Sequence, residues 1–177
     1  MLYNEHISYI CHNKKGENDM FREMRRYKQA VTAETCAEIL KTEKRGVLSV
    51  IGDEGYPYAV PLDFYYEEEE QTIYFHCAKV GHKIDAIKDC DKVCFTTWNT
   101  GFQKENDWVW NVTSVIVFGR AELVADAAQT REKVRKLAMK YYPTEEEVDA
   151  EMEKSIEHVQ LLALHIEHMT GKLVNER

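Results

Sequence analysis

The residues with the clearest capacity for chemistry lie in one stretch, IYFHCAKVGHK at 73–83, which carries His76, Cys77, Lys79, His82 and Lys83 and no acid. Three chemistries are open to such a set. The first is anion binding. Ile73-Tyr74-Phe75 alternates like a strand, and Gly81 then opens a short amphipathic helix with His82 and Lys83 in its first turn. A helix start offers unpaired N–H groups and partial positive charge, so a phosphate suits it. The plain alternative is a solvated first turn with no ligand. The second is metal ligation. Adjacent strand residues such as His76 and Cys77 point to opposite faces and do not readily share one ion, so no metal is expected. The third is thiol redox chemistry at Cys77, which needs a depressed pKa; a buried inert thiol is the expectation.

Other chemistry-bearing residues are more scattered. Trp98, Trp108 and Trp110 offer stacking surfaces, with packing at the end of a sheet as the simpler reading. His165 and His168 have odd spacing on an apparent strand and so are expected on opposite faces. The tract TEEEVDAEMEKSIE reads as a solvated helix face.

Charge narrows the partners. Lys and Arg number 23 against 31 Asp and Glu, a formal net charge of −8, which argues against nucleic acid, whose binding needs broad positive surface. The basic 73–83 stretch is therefore a local exception that would attract an anion. Apolar runs are only a few residues long, so no segment is expected to span a membrane. Five cysteines at 11, 36, 77, 90 and 94, none with CxxC spacing, read as free thiols, and a cytoplasmic location is expected. The start, MLYNEHISYICHNKKGEND, lacks the pattern of a secretory signal. It differs in character from the rest of the chain, so residues 1–19 are expected to be an extension and 20–177 a single domain.

The elements that must position these residues can be read from periodicity. Thr32 caps a helix whose stripe is Cys36, Ile39 and Leu40. From Gly46 the period is two: Val47–Ile51, a turn at 52–55, Tyr56–Tyr66, a turn at 67–71, and Thr72–Cys77. Pro57 and Pro61 cannot donate to a ladder, which makes their strand an edge or a bulged one. The helix after Gly81 places Val80, Ile84 and Ile87 on one face, and Lys92–Trp98 is a further strand. Asn99–Asp107 reads as a mobile loop and Val109–Val124 as a long strand, apolar on both faces around 114–118. Asp126 caps a helix running to about Lys140, Thr144 with Glu147 opens an acidic one, Val159–His168 closes the sheet, and Gly171-Lys172 begins a tail. Six strands joined largely by hairpins, with peripheral helices, suit a mainly β small barrel.

RGVLSVIGDEGYPYAVPLDF, IYFHCAKVGHKIDAI, KVCFT and SVIVFGRAELV, in that order, resemble the FMN-binding split barrels of the pyridoxamine-phosphate-oxidase-like family. The resemblance runs from about Met20 to Lys172 and is nearest to the nitroimidazole-resistance (Nim-type) branch. It implies a six-stranded split β-barrel that is an obligate homodimer, with FMN at the subunit interface. It places the flavin ring beside Val60, Pro61 and Leu62, and the ribityl phosphate near His76, Cys77, His82 and Lys83, with Lys79 adding charge. Ser114 matches a serine of the family on the partner's side of the pocket. Two departures stand out: related oxidases often have arginine where His82 stands, and an aromatic residue where Val112 stands. The implied activity is electron transfer from a reduced nicotinamide to a small redox substrate such as a nitroaromatic. A non-catalytic flavin carrier or redox sensor, and a haem-binding barrel with His76 as axial ligand, are the rival readings.

Overall fold

A computed structural model of the chain describes residues 21–175; the extension expected at 1–19 lies outside them. The helix stripe that begins after Thr32 forms α1 (Ala33–Thr42), whose N-terminus is closed by the Thr32 side chain accepting from the Thr35 N–H. The alternating segments next in the chain become β1 (Arg45–Ile51), β2 (Pro57–Asp63), β3 (Tyr65–Glu67) and β4 (Thr72–Ala78). After them come α2 (His82–Asp89), β5 (Lys92–Trp98), β6 (Phe102–Gln103) and β7 (Trp110–Val124). The chain then forms α3 (Ala127–Met139), α4 (Glu145–Ser155) and β8 (Val159–Asn175). Asp126 and Thr144 cap α3 and α4 as their spacing predicts, accepting from the N–H groups of Gln129 and Glu147.

All eight strands form one antiparallel sheet in the order β2-β1-β5-β7-β8-β4-β3, with β6 added beside β7. It is a curled split barrel with helices around it. The segment expected as one strand over 56–66 is two. β2 ends at Asp63 and β3 begins at Tyr65, and these neighbours in sequence sit at opposite ends of the strand order. Phe64, fully buried, makes the crossing. Its N–H donates to the Tyr141 hydroxyl at 2.9 Å, and its ring lies 4.2 Å from the Lys140 ammonium. β2 is an edge strand, as its two prolines require.

Two clusters fill the interior. Leu40 of α1, Leu48, Phe75, Phe95, Val117 and Leu164 lie at the centre of the first. The second packs α3 and α4, through Val134, Val148 and Met152, against Tyr74, Leu161 and Ala163. β4 and the first half of β8 therefore bury both faces, which accounts for their unbroken apolar runs IYF and LLAL. The strand expected to do so, β7, has instead a buried inner face and an outer face open at Ile116 and Phe118. Val80 is likewise exposed, because it precedes α2 and does not share its inner face with Ile84 and Ile87.

β8 runs on to Asn175, so Gly171 and Lys172 are ladder residues and not a tail. Gly171 is where α1 lies closest: a Cβ there would sit 2.3 Å from the Cys36 Sγ. A bulge at Glu167 shifts the β7–β8 register, pairing Phe118 with His168 and Arg120 with His165. Positions 118 and 120 share a face, so His165 and His168 do too, contrary to their odd spacing. The expected loop at 99–107 contains β6, paired to β7 at Asn111 and Trp110. Among the described residues, Cys36, Cys77 and Cys94 are free thiols. Among the described residues no helix is long and apolar enough to cross a membrane.

Candidate functional site

β4 delivers its last residues to the open seam between itself and edge strand β2, and the chain turns at Gly81 into α2. Gly81 has φ +130°, a conformation that suits glycine, and a side chain added there would meet only open space. It caps α2 without any side-chain bond. The first intrahelical bonds come from the N–H groups of Ile84 and Asp85 to the Gly81 carbonyl, so the N–H groups of His82 and Lys83 are left for an outside acceptor. Lys83 stands beside them, close enough to His76 and Cys77 to act on the charge state of both.

His82 is anchored more tightly than its place in the helix alone requires. Its ring stacks on Tyr58 of β2 with centroids 4.2 Å apart. Its Nε2 accepts from the Asp53 N–H at 3.3 Å and lies 3.5 Å from the Asp53 carboxylate. Gly52 permits this, since a Cβ there would come within 3.0 Å of the same Nε2. The imidazole thus ties the start of α2 to the β1–β2 turn, and what His82 offers a phosphate is its backbone N–H. Tyr58, Gly52 and Asp53 carry no local sequence signal for this role, because the contact joins positions about thirty residues apart.

His76 and Cys77, adjacent on β4, face opposite ways. His76 reaches solvent at the mouth of a cavity it shares with Asp63. Protein around its other sides pushes the imidazole pKa down; Asp63 opposes this and Lys83 adds to it. The Cys77 thiol is pushed up by burial, only partly relieved by Lys83, and donates weakly to the Gln160 carbonyl. Cys77 is half-buried, not fully buried as expected, and its raised pKa disfavours the reactive thiolate.

β2 brings Val60, Pro61 and Leu62 to the same seam. Leu62 turns its side chain toward the core, while the unpaired edge of β2 leaves backbone groups available to a planar ring. Lys79 is exposed on the turn before Gly81. Ser114 is not brought to this place: it pairs with Trp98 and Lys172 on β7, beyond β1 and β5 from β2 in the sheet. Trp98 pairs with Ser114 and Trp110 begins the same strand, whereas Trp108 precedes it; they are exposed at 51%, 40% and 75% and are not packed at the barrel end as expected. The donor set of the seam, comprising free helix N–H groups, two lysines and an open strand edge, fits a phosphate-bearing planar cofactor.

Three comparisons bear on this arrangement. The profile of the family described as pyridoxamine 5'-phosphate oxidase matches residues 32–173. Comparison with curated proteins gives no match. Among solved structures, a candidate 5-nitroimidazole antibiotic resistance protein of Bacteroides thetaiotaomicron superposes with a TM-score of 0.68 at 20% identity, covering 93% of this chain and 96% of that one. The flavocytochrome Anf3 of Azotobacter vinelandii gives 0.69 at 24% identity, over 89% and 74%. A FAD and heme binding protein of Mycobacterium smegmatis gives 0.66 at 18% identity, over 82% and 73%. At these identities the likeness establishes the fold.

Proposed function

This chain belongs to the pyridoxamine 5'-phosphate oxidase family, and from that premise we propose that it is an FMN-binding oxidoreductase that works as a homodimer. The observation that carries the reading is the uncapped start of α2, with two free N–H groups and Lys83 at the seam beside β2. Lys83 supplies a compact cation and the His82 and Lys83 N–H groups supply directed donors for a phosphate. Lys79 raises the local positive potential. The edges of Val60, Pro61 and Leu62 support the ring, and His76 borders it. Bound flavin would supply the electron relay between a reduced nicotinamide and a small acceptor such as a nitroaromatic, while the protein supplies position and field. Solved relatives described as flavin- or FAD-binding support the cofactor class.

The homodimer is argued from the outer face of the sheet. Trp98, Trp110, Ile116 and Phe118 are exposed on neighbouring strands β5 and β7, and a second copy seated there would bring its own Ser114 toward the first copy's flavin. Apolar surface of this kind is the usual material of an obligate interface.

Titration of FMN and riboflavin into wild type and Lys83→Ala, followed by flavin fluorescence, tests the reading. The variant is expected to lose on the order of 2 kcal/mol of FMN affinity, as for a charge-assisted hydrogen bond, and to bind riboflavin unchanged. Equal losses for both flavins would remove the phosphate from this site. Turnover of NADH or NADPH with a nitroaromatic then separates an enzyme from a carrier.

A further inference from the structure

Beside the seam lies a cavity of about 240 Å³ enclosed by α3, α4 and the end of β4, and the flavin reading does not use it. Its walls are apolar, built from Val134, Leu137, Val148 and Met152, all at or below 7% exposure. Tyr142 adds an aromatic face and Ala138 leaves room where a larger residue would fill it. At protein packing density this space holds about ten non-hydrogen atoms, one ring with a short substituent. It is larger than the roughly 150 Å³ apolar cavity that takes up benzene.

The polar groups of the lining are strongly one-sided. Asp63 and Glu151 present carboxylates, and no lysine or arginine lines the space. Asp63 already has Arg45 at 3.0 Å on one oxygen. Glu151 is held instead by the Ser155 hydroxyl, which donates to it at 2.5 Å and so has only its lone pairs left to offer. The Tyr141 hydroxyl accepts from the Phe64 N–H and directs its own proton to the Lys44 carbonyl. His76 closes the polar side, and burial disfavours its charged form. A ligand here meets carboxylates and the carbonyl-bound Tyr141 hydroxyl among hydrocarbon walls, with no lysine or arginine in the lining. An anion would be repelled, and a cationic N–H group would add a charge-assisted bond to the Glu151 carboxylate that a neutral ring cannot make.

We propose that this cavity is a second binding site, taking a small single-ring organic amine or similarly N–H-rich cation, with its charged end at Glu151 and its ring among Val134, Leu137, Val148 and Met152. Binding rests on the cavity alone. The amine's nearness to a flavin rests on the flavin reading, because His76 borders both the cavity and the seam.

Calorimetric titration of the full-length protein with benzylamine, benzyl alcohol and benzoate tests the site. Benzylamine is expected to bind about tenfold more tightly than benzyl alcohol, and benzoate not at all. Glu151→Gln, a change at a partly exposed helix position, should bring benzylamine to the level of benzyl alcohol and leave the alcohol unchanged. Ala138→Phe should abolish binding of both. Equal affinities for the amine and the alcohol, binding of benzoate, absence of binding by all three, or indifference to Glu151→Gln would each overturn the proposal. So would mutual displacement of benzylamine and FMN, which would make the cavity part of the flavin seat. A protein that binds benzylamine but no FMN would sink the flavin reading and leave the amine site standing.

Discussion

Lys140 shows how far a single side chain departs from what its sequence neighbourhood implies. It ends α3 and would pass for a solvated cation, yet its Nζ donates to the backbone carbonyls of Leu40, Glu43 and Phe64, closing the end of α1 as well as the β2–β3 crossing. Burial pulls its pKa down to about 8, with the Glu43 and Asp63 charges opposing that shift and Lys44 adding to it. The folded state therefore holds fewer protons than the unfolded one above that value, and stability rises with pH. The Lys140 contribution is an increase of up to roughly 2 kcal/mol between pH 8 and 9.5, read as a difference from Lys140→Met, because the raised thiols of Cys36, Cys77 and Cys94 act the opposite way in both proteins. Urea unfolding of both proteins across that interval reads it, and Lys140→Met should lose this rise and cost about 1–3 kcal/mol at pH 7 by orphaning the carbonyls. Parallel profiles for wild type and Lys140→Met would mean that the ammonium stays charged throughout. Lys133 carries the same lesson. It is 3% exposed and paired to Glu67 and Glu70, yet nothing in the helical pattern of α3 separates it from its solvated neighbours. Lys83 is legible because glycine, helix start and cation are adjacent in sequence. The stacking of His82 on Tyr58 is not, because it depends on how β2 is placed.

At the scale of elements, periodicity and caps locate most helices and strands, and the misplaced ones have physical causes. β2 and β3 read as one strand because Phe64 does not interrupt the apolar pattern; only the reversal of edges separates them. The end of β8 escapes a reading by pattern because Thr170-Gly171 looks like punctuation, whereas the glycine is there to let α1 approach. Gly171→Ala is accordingly expected to destabilise by about 1–3 kcal/mol, as overpacking does, read as a lowered midpoint in chemical denaturation. An unchanged midpoint would show that Cys36 and Val31 can give way. Spacing assigns the histidines of β8 to opposite faces because a bulge leaves no mark in it. His165 lies beside Glu122, at 2.9 Å, and His168 stacks on Phe21 on that same side.

For the molecule as a whole, the proposed dimer makes a definite claim about the outer face of β7. Ile116 is 41% exposed in the single chain, so Ile116→Glu should leave the fold intact while placing a charge at the centre of the interface. Sedimentation at micromolar concentration is expected to show dimers for wild type and monomers for the variant, with unchanged far-ultraviolet circular dichroism. A wild-type monomer that still holds flavin would end the idea. The crossing at Phe64 has a further consequence at this scale. Among the described residues the two ends of the strand order, β2 and β3, are consecutive in the chain, so the barrel resembles a bracelet whose clasp is one short covalent link. A nick in the backbone beside Phe64 would leave every paired strand as it is, yet release both rims to drift apart. Each rim would then be a docking strip for a foreign strand. Burial of Phe64 under Tyr141 and Lys140 shields that link from proteases and so keeps the two rims together.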